Sequence, residues 1–362
     1  MRHILINGNF LCRALTGIER FAFEICAFLD EILIRQNETS LQISLLVPAN
    51  AAVLPDYKKI ALIPAKHLTS FPRWDMLYFP KLCRQHNATG LNFSNTAPLG
   101  RSCGYAFLHD IYAYDFPADF TSKKDILIRL YSLLHYKNIV RNAKKILTVS
   151  EFSKNQIQKA YHVPDERIAV IPNGWEHFKT VGEDDSIFRK FPVLAEKPFF
   201  LTLGSLQKRK NLAWILGYAR KHPDQVFAVS GKIIGGMRSN ELGELAHLPN
   251  VVLLGYADDS EVKSLMCRCR ALVFPSYYEG FGIPPLEALS VGARIIVAKS
   301  ASLPEIYGET AQYIDAGCTD TNLEELADRP VDSAKINALL QKYSYRNSAN
   351  MLYNILRNQD SR

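Results

Sequence analysis

The chain reads as an α/β protein with two Rossmann-like domains, each on its own parallel sheet. Three observations predict this. Short apolar runs of strand type recur along the chain, and stretches of helical periodicity separate them. Several runs, Phe199–Leu203 and Ala271–Phe274 among them, are apolar throughout, as strands buried on both faces are. The length of 362 residues corresponds to two domains of ordinary size.

Composition narrows the class further. A hydrophobic content of 48% with 22% charged residues is that of a globular chain. No apolar run is long enough to cross a bilayer, and the start Met1–Asn9 lacks the apolar core of a secretory signal, so a cytoplasmic location is expected. The seven cysteines are scattered and odd in number, which fits reduced thiols. Cys267 and Cys269 lie close together, but no second pair accompanies them at zinc spacing. The net charge of +7 suits phosphorylated ligands or an anionic membrane surface, with peripheral contact at the inner membrane face as one outcome. No arginine-rich stripe interleaved with aromatics is present, so a nucleic-acid partner is not expected.

The first half opens with a strand at His3–Ile6, a loop, and an amphipathic helix from about Ile18, with Thr16 as its cap and Gly17 freeing its first turn. Strands follow at Gln42–Val47, Ile60–Ile63 and Gly90–Phe93, with a helix around Trp74–Gln85. The run G-Y-A-F-L-H-D-I places His109 and Asp110 at a strand's carboxyl end, where open α/β sheets gather active residues. An imidazole there can bond a hydroxyl or titrate near neutral pH; a purely structural role is the alternative. Lys123–Lys145 is a long basic helical pattern with Leu127, Leu130, Leu134 and Lys137 on one stripe, broken by the lysine. We read the leucines as facing the core beneath a solvated basic side; the alternative is an interfacial helix on anionic lipid. A strand at Ile146–Val149, a helix capped by Ser150 and a strand at Arg167–Ile171 lead to Pro172 and Gly174, which punctuate the chain. Trp175–Lys197 has weak periodicity and reads as a linker. The domain boundaries are therefore 1–175 and 176–345, and the chain closes with a helix at about Asn347–Leu356.

In the second half Phe199–Leu203 exits at Gly204, and Arg209, Lys210 and Asn211 open a helix. Cations at a positive helix end are locally unfavourable unless an anion such as a diphosphate lies between them; solvated basic residues are the alternative. Gln225–Ser230 ends at Gly231, with Lys232 beyond it. Val251–Leu254 precedes Asp258–Ser260, which reads as a cap for Glu261–Cys269. The stretch V-F-P-S-Y-Y-E-G-F-G-I-P-P-L-E-A-L-S-V-G, Val273 to Gly292, is a buried strand, a tight loop and a helix start. Gly280 and Gly282 permit unusual backbone angles, and Pro284 and Pro285 suit a first helical turn. Such a loop is expected to gather amides into a phosphate site. Glu279 and Glu287 bracket it; a carboxylate repels phosphate, so both should face hydroxyl groups. Phosphate flanked by polyhydroxylated rings describes a sugar nucleotide. The alternative is a plain crossover with two solvated glutamates.

The stretch E-G-F-G-I-P-P-L-E resembles the Glu-x7-Glu signature of the family 4 retaining glycosyltransferases, with Glu279 and Glu287 at the matching positions. T-V-S-E-F-S, V-I-P-N-G, R-K-N and H-D-I are similar to further landmarks of that family. The resemblance implies a GT-B fold, two Rossmann-like domains facing a central cleft with residues 346–362 packing back on the first domain, and transfer of a sugar from a nucleotide donor to an acceptor hydroxyl. It implies that Glu279 orients the donor sugar, that Glu287 binds the ribose, and that His109 reaches the donor sugar. It places Lys210, with Arg209 standing in for an Arg that Ser205 replaces, and the Gly280–Phe281–Gly282 loop on the diphosphate. It puts Gly17 in a loop near donor and acceptor, the base near Tyr256, and S-L-P-E-I-Y-G beside the donor site. No Asp-x-Asp triplet is present and no metal or other cofactor is expected. Among donors, GDP-mannose is favoured over UDP-glucose, UDP-GlcNAc and dTDP-rhamnose, and the acceptor is expected to be a glycan or lipid-linked saccharide. A sugar-nucleotide epimerase of the same fold and a non-catalytic sugar-nucleotide-binding subunit are the rival readings.

Overall fold

A computed structural model describes residues 2–15, 17–204, 207–231 and 241–358. Thr16, Ser205 and Lys232 lie outside the described residues. The chain divides into two compact units, Met1–Gly174 with Tyr343–Arg362, and Trp175–Lys342.

The first unit holds seven strands: β1 Arg2–Asn7, β2 Leu41–Pro48, β3 Ala61–Ala65, β4 Thr89–Asn92, β5 Tyr105–Phe107, β6 Lys145–Thr148 and β7 Ile168–Val170. Their order is β3-β2-β1-β4-β5-β6-β7, and every pairing is parallel. The chain runs outward from β1 in both directions, so the point where strand order reverses lies between β1 and β4, and loops diverge there to leave room for a ligand. The helix Ile18–Arg35 presents Phe21, Ile25, Leu29 and Leu33 to the core at helical spacing. The final helix, Tyr345–Arg357, buries Tyr345, Ala349, Leu352 and Leu356 in the same core, and Arg2 bonds the carbonyls of Leu356 and Asn358.

The expected helix around Trp74–Gln85 begins earlier, at Phe71, and contains one π turn, Trp74–Tyr78. That wider turn carries the buried Asp75, whose carboxylate accepts from Asn7 and Asn9 at 2.9 Å each and from Thr96 at 2.9 Å. These bonds tie the carboxyl ends of β1 and β4 together.

The second unit holds β8 Phe199–Leu203, β9 Val226–Ser230, β10 Val251–Gly255, β11 Ala271–Phe274, β12 Ile295–Ala298 and β13 Gln312–Ile314. Their order is β10-β9-β8-β11-β12-β13, again all parallel, with the reversal between β8 and β11. Asp258 and Glu261 form a reciprocal cap on the helix Asp259–Arg268.

Two expectations need correction. Trp175–Lys197 is not a linker. It folds into three short helices, His177–Thr180, Ser186–Lys190 and Val193–Glu196, with Phe178, Ile187, Phe188 and Leu194 buried. Helices of four or five residues are too short to show a period, so only their scattered apolar anchors were visible in the sequence. In the helix Lys123–Asn142 the inward face is Tyr136, Ile139 and Val140, whereas Leu127 is 68% exposed. The leucine stripe faces solvent, not the core.

Candidate active site

The geometry of the second unit is set by the two strands that meet at its reversal point. β8 is followed by Gly204, whose φ of +136° suits glycine, and a Cβ there would stand 3.2 Å from Lys210 Cε. The missing side chain lets the Lys210 stem lie across the strand end, with its ammonium 4.8 Å from the centre of the Phe274 ring. Lys210 Nζ donates to Glu279 Oε1 at 2.7 Å, and Arg209 Nη1 reaches Glu279 Oε2 at 3.5 Å. The residue Glu279 is 5% exposed. Burial works to raise its carboxyl, but Lys210 and Arg209 outweigh that and hold it below the usual carboxylate value. A buried anion is thus kept ionised by two cations seventy residues away in the sequence.

Asn211 does not cap the helix Leu212–Lys221 with its side chain. Its amide bridges the carbonyls of Pro275 (3.1 Å) and Ala316 (2.8 Å), while the Arg209 carbonyl accepts from the Tyr277 amide at 3.1 Å. These bonds join the segment carrying the two cations to the loop carrying the acid.

The loop itself is held from behind. Ser302 Oγ donates to the carbonyls of Glu279 (2.9 Å) and Phe281 (3.3 Å), and Tyr307 Oη donates to that of Gly282. The stretch S-L-P-E-I-Y-G is therefore the brace of this loop. Gly282 has φ +85°, and a Cβ there would meet Leu303 Cδ2 at 2.8 Å, so both conformation and space demand glycine. Phe281 is 3% exposed and anchors the loop apolar side down. The helix Ile283–Ser290 follows with Pro284 and Pro285 in its first turn. Prolines have no N–H, so the helix start supplies fewer amides than the sequence argument assumed; the positive charge of the site rests on Lys210 and Arg209.

Glu287, in that helix, accepts from His177 Nε2 at 2.8 Å. His177 is buried and lies in the segment first read as a linker. This partnership was missed because no local spacing connects positions 177 and 287. Tyr256, the position expected near a base, follows β10 and is 56% exposed.

In the first unit, His109 lies just past β5 and is buried. Its Nε2 lies 2.7 Å from the Phe93 carbonyl, so this nitrogen donates and Nδ1 carries the lone pair. The Phe21 and Phe107 rings pack against the imidazole at 5.3 and 5.4 Å. Burial pushes its pKa down to about 4, against smaller opposing effects of the Phe93 carbonyl and Asp110. Of the two behaviours open to this imidazole, bonding a hydroxyl or titrating near neutral pH, the lowering disfavours the second. Gly17 occupies the cap position of the helix Ile18–Arg35 with φ +52°, and a Cβ there would meet nothing within 4 Å, so the backbone angle alone selects glycine. Among the described residues, no group of three or more His, Cys, Asp or Glu side chains could hold a metal ion.

Comparison with known proteins bears on the family and the fold. The model described as "Glycosyltransferase Family 4" matches residues 17–177, and "Glycosyl transferases group 1" matches 183–347. The chain is 28% identical to O-antigen chain mannosyltransferase B of Escherichia coli over 269 residues, covering 68% of each. It is also 28% identical over 255 residues to O-antigen chain mannosyltransferase RfbU of Salmonella typhimurium, covering 69% of this chain and 68% of that one. Among solved structures, WaaG, a glycosyltransferase involved in lipopolysaccharide biosynthesis, superposes with a TM-score of 0.68 at 13% identity over 99% of this chain and all of its own. The sucrose-phosphate synthase of Thermosynechococcus elongatus gives 0.72 at 14% identity over 99% and 98%.

Proposed function

This chain belongs to the family 4 glycosyltransferases of the GT-B fold, and from that premise we propose that it moves mannose from GDP-mannose to a hydroxyl of a lipid-linked saccharide or growing polysaccharide, with retention of anomeric configuration. The observation that carries the reading is the Lys210–Glu279–Arg209 cluster at the carboxyl ends of the two central strands of the donor unit. The mannose assignment draws its support from the two mannosyltransferase relatives. Those relatives are transferases, which favours transfer over epimerisation.

The chemical task is to stabilise a departing diphosphate and a ring that gains positive charge. Lys210, a compact cation that donates to Glu279, is the group assigned to the phosphate oxygens of the donor. Two cations against one carboxylate leave the cluster positive where the leaving group's charge develops, an electrostatic contribution fixed before the reaction begins. The Gly280–Gly282 loop lines the same end of the sheet. Glu279 takes sugar hydroxyls near the 3- and 4-positions. Both its oxygens already face cations, which makes it a poor covalent nucleophile and favours same-face attack assisted by the leaving phosphate. Glu287, oriented by His177, takes the ribose hydroxyls. For His109 the family resemblance assigns a sugar hydroxyl, for which Nδ1 is the acceptor, and for Gly17 it assigns a loop near donor and acceptor. With the charge carried by Lys210 and Arg209, transfer proceeds without a metal, and EDTA leaves turnover unchanged.

A thermal-shift panel of GDP-, UDP- and dTDP-sugars tests the donor. A ligand at a hundred times its Kd stabilises by about 2.7 kcal/mol. GDP-mannose should give the largest shift at equal concentration; a larger shift from a UDP- or dTDP-sugar overturns the mannose assignment, and no shift from any of them overturns the donor site.

A further inference from the structure

We propose that the outward face of the helix Lys123–Asn142 docks this protein onto an anionic membrane surface. The helix begins at a reciprocal cap in which Ser122 and Asp125 bond each other's backbone, and its later turns bury Tyr136, Ile139 and Val140. The opposite face is apolar where a solvated helix is polar. Leu127, Leu130 and Leu134 are 68%, 55% and 50% exposed, and Ile126 on their shoulder is 45% exposed. At 100° per residue the three leucines fall within a stripe about 60° wide. Scattered exposed leucines are ordinary in a soluble chain, but a continuous stripe marks an interaction surface.

The charges around the stripe identify the partner. Lys123 and Arg141 stand on the same helical line at its two ends, with Lys137 beside it and Lys124 next to the first, and all four are exposed. Among the described residues no carboxylate pairs with any of them. The helix's own acid, Asp125, is turned inward and held in the cap. A protein partner of this face would bury lysines, which interfaces avoid. A bilayer of anionic lipid accommodates both halves of the pattern. The leucines enter the acyl boundary, and the lysine and arginine stems reach outward to the headgroups. This goes beyond sugar transfer and holds for any donor.

Flotation with vesicles tests it without reference to turnover. The full chain should bind vesicles of phosphatidylcholine mixed with phosphatidylglycerol, bind pure phosphatidylcholine weakly, and lose binding as salt rises. The variant Leu127→Gln/Leu130→Gln/Leu134→Gln should lower the partition coefficient roughly a hundredfold or more, from the apolar area withheld. Lys123→Gln/Lys137→Gln/Arg141→Gln should lower it roughly tenfold to a hundredfold on the anionic vesicles alone. All six positions are exposed, so both variants should keep the wild-type Tm and circular dichroism, which separates lost docking from lost folding. Equal binding of the leucine variant, or no binding by the wild type, overturns the proposal. A wild-type dimer that the leucine variant converts to a monomer also overturns it, because the face would then join two copies of the chain.

Discussion

Replacing Lys210 by alanine should destabilise the second unit in a way that depends on pH. The substitution removes the ammonium 2.7 Å from Glu279 Oε1 and leaves Arg209 at 3.5 Å from the other oxygen. Glu279 cannot swing to water, because Ser302 and the loop carbonyls hold its backbone and the residue is 5% exposed. Breaking a buried pair costs about 3–5 kcal/mol; with Arg209 still present, about 2–3 kcal/mol is expected at neutral pH. For a unit of this size that lowers Tm by about 4–12 °C. In the wild type the folded carboxyl lies below its ordinary value of 4.5, so its contribution is complete above that value and fades as pH falls through the lowered folded one. In the variant burial dominates and the carboxyl moves up. The deficit relative to wild type should therefore be largest at neutral pH and shrink toward about pH 4, where protonation removes the unpaired charge. Denaturant unfolding of wild type, Lys210→Ala and Lys210→Met across that range reads it; the methionine keeps the stem against Phe274. A deficit that stays constant with pH, or that the methionine abolishes, would show that only packing was lost and refute the electrostatic account.

Three more expectations concern the site. Glu279→Gln should leave nucleoside diphosphate affinity unchanged or tighter, since it frees Lys210 from its partner, while lowering kcat about 10²–10³-fold; unaltered kcat ends the proposed role. The imidazole of His109 should titrate near about 4 by NMR, so the pH profile of kcat should carry no limb from it between about pH 5 and 8; a midpoint above about 6 contradicts the buried acceptor. Gly282→Ala should cost about 1–3 kcal/mol, from a left-handed backbone angle and the contact with Leu303, and should raise KM for the donor as the loop shifts; a wild-type Tm and KM would disprove the fit.

Most of the strands, the all-parallel class and the two chemical clusters R-K-N and E-x7-E were legible from the sequence, because each depends on periodicity and on neighbours a few residues apart. The strand Phe199–Leu203 and the reciprocal cap at Asp258 are instances: apolar run and cap spacing are local facts. Other features rest on neighbours the chain brings together from afar. That Lys210 and Glu279 share both a site and a charge balance follows from β8 lying beside β11. That Glu287 is held by His177 follows from a segment with no readable period folding onto the same unit. His109 illustrates the division most plainly: its place at a strand end was visible, but its neutrality comes from Phe21, Phe107 and the Phe93 carbonyl closing around it. The stripe of Leu127, Leu130 and Leu134 was equally visible, yet a helical period states only that one face differs from the other. Which face meets the core is decided by what packs there, and here Tyr136, Ile139 and Val140 pack inward and turn the leucines out.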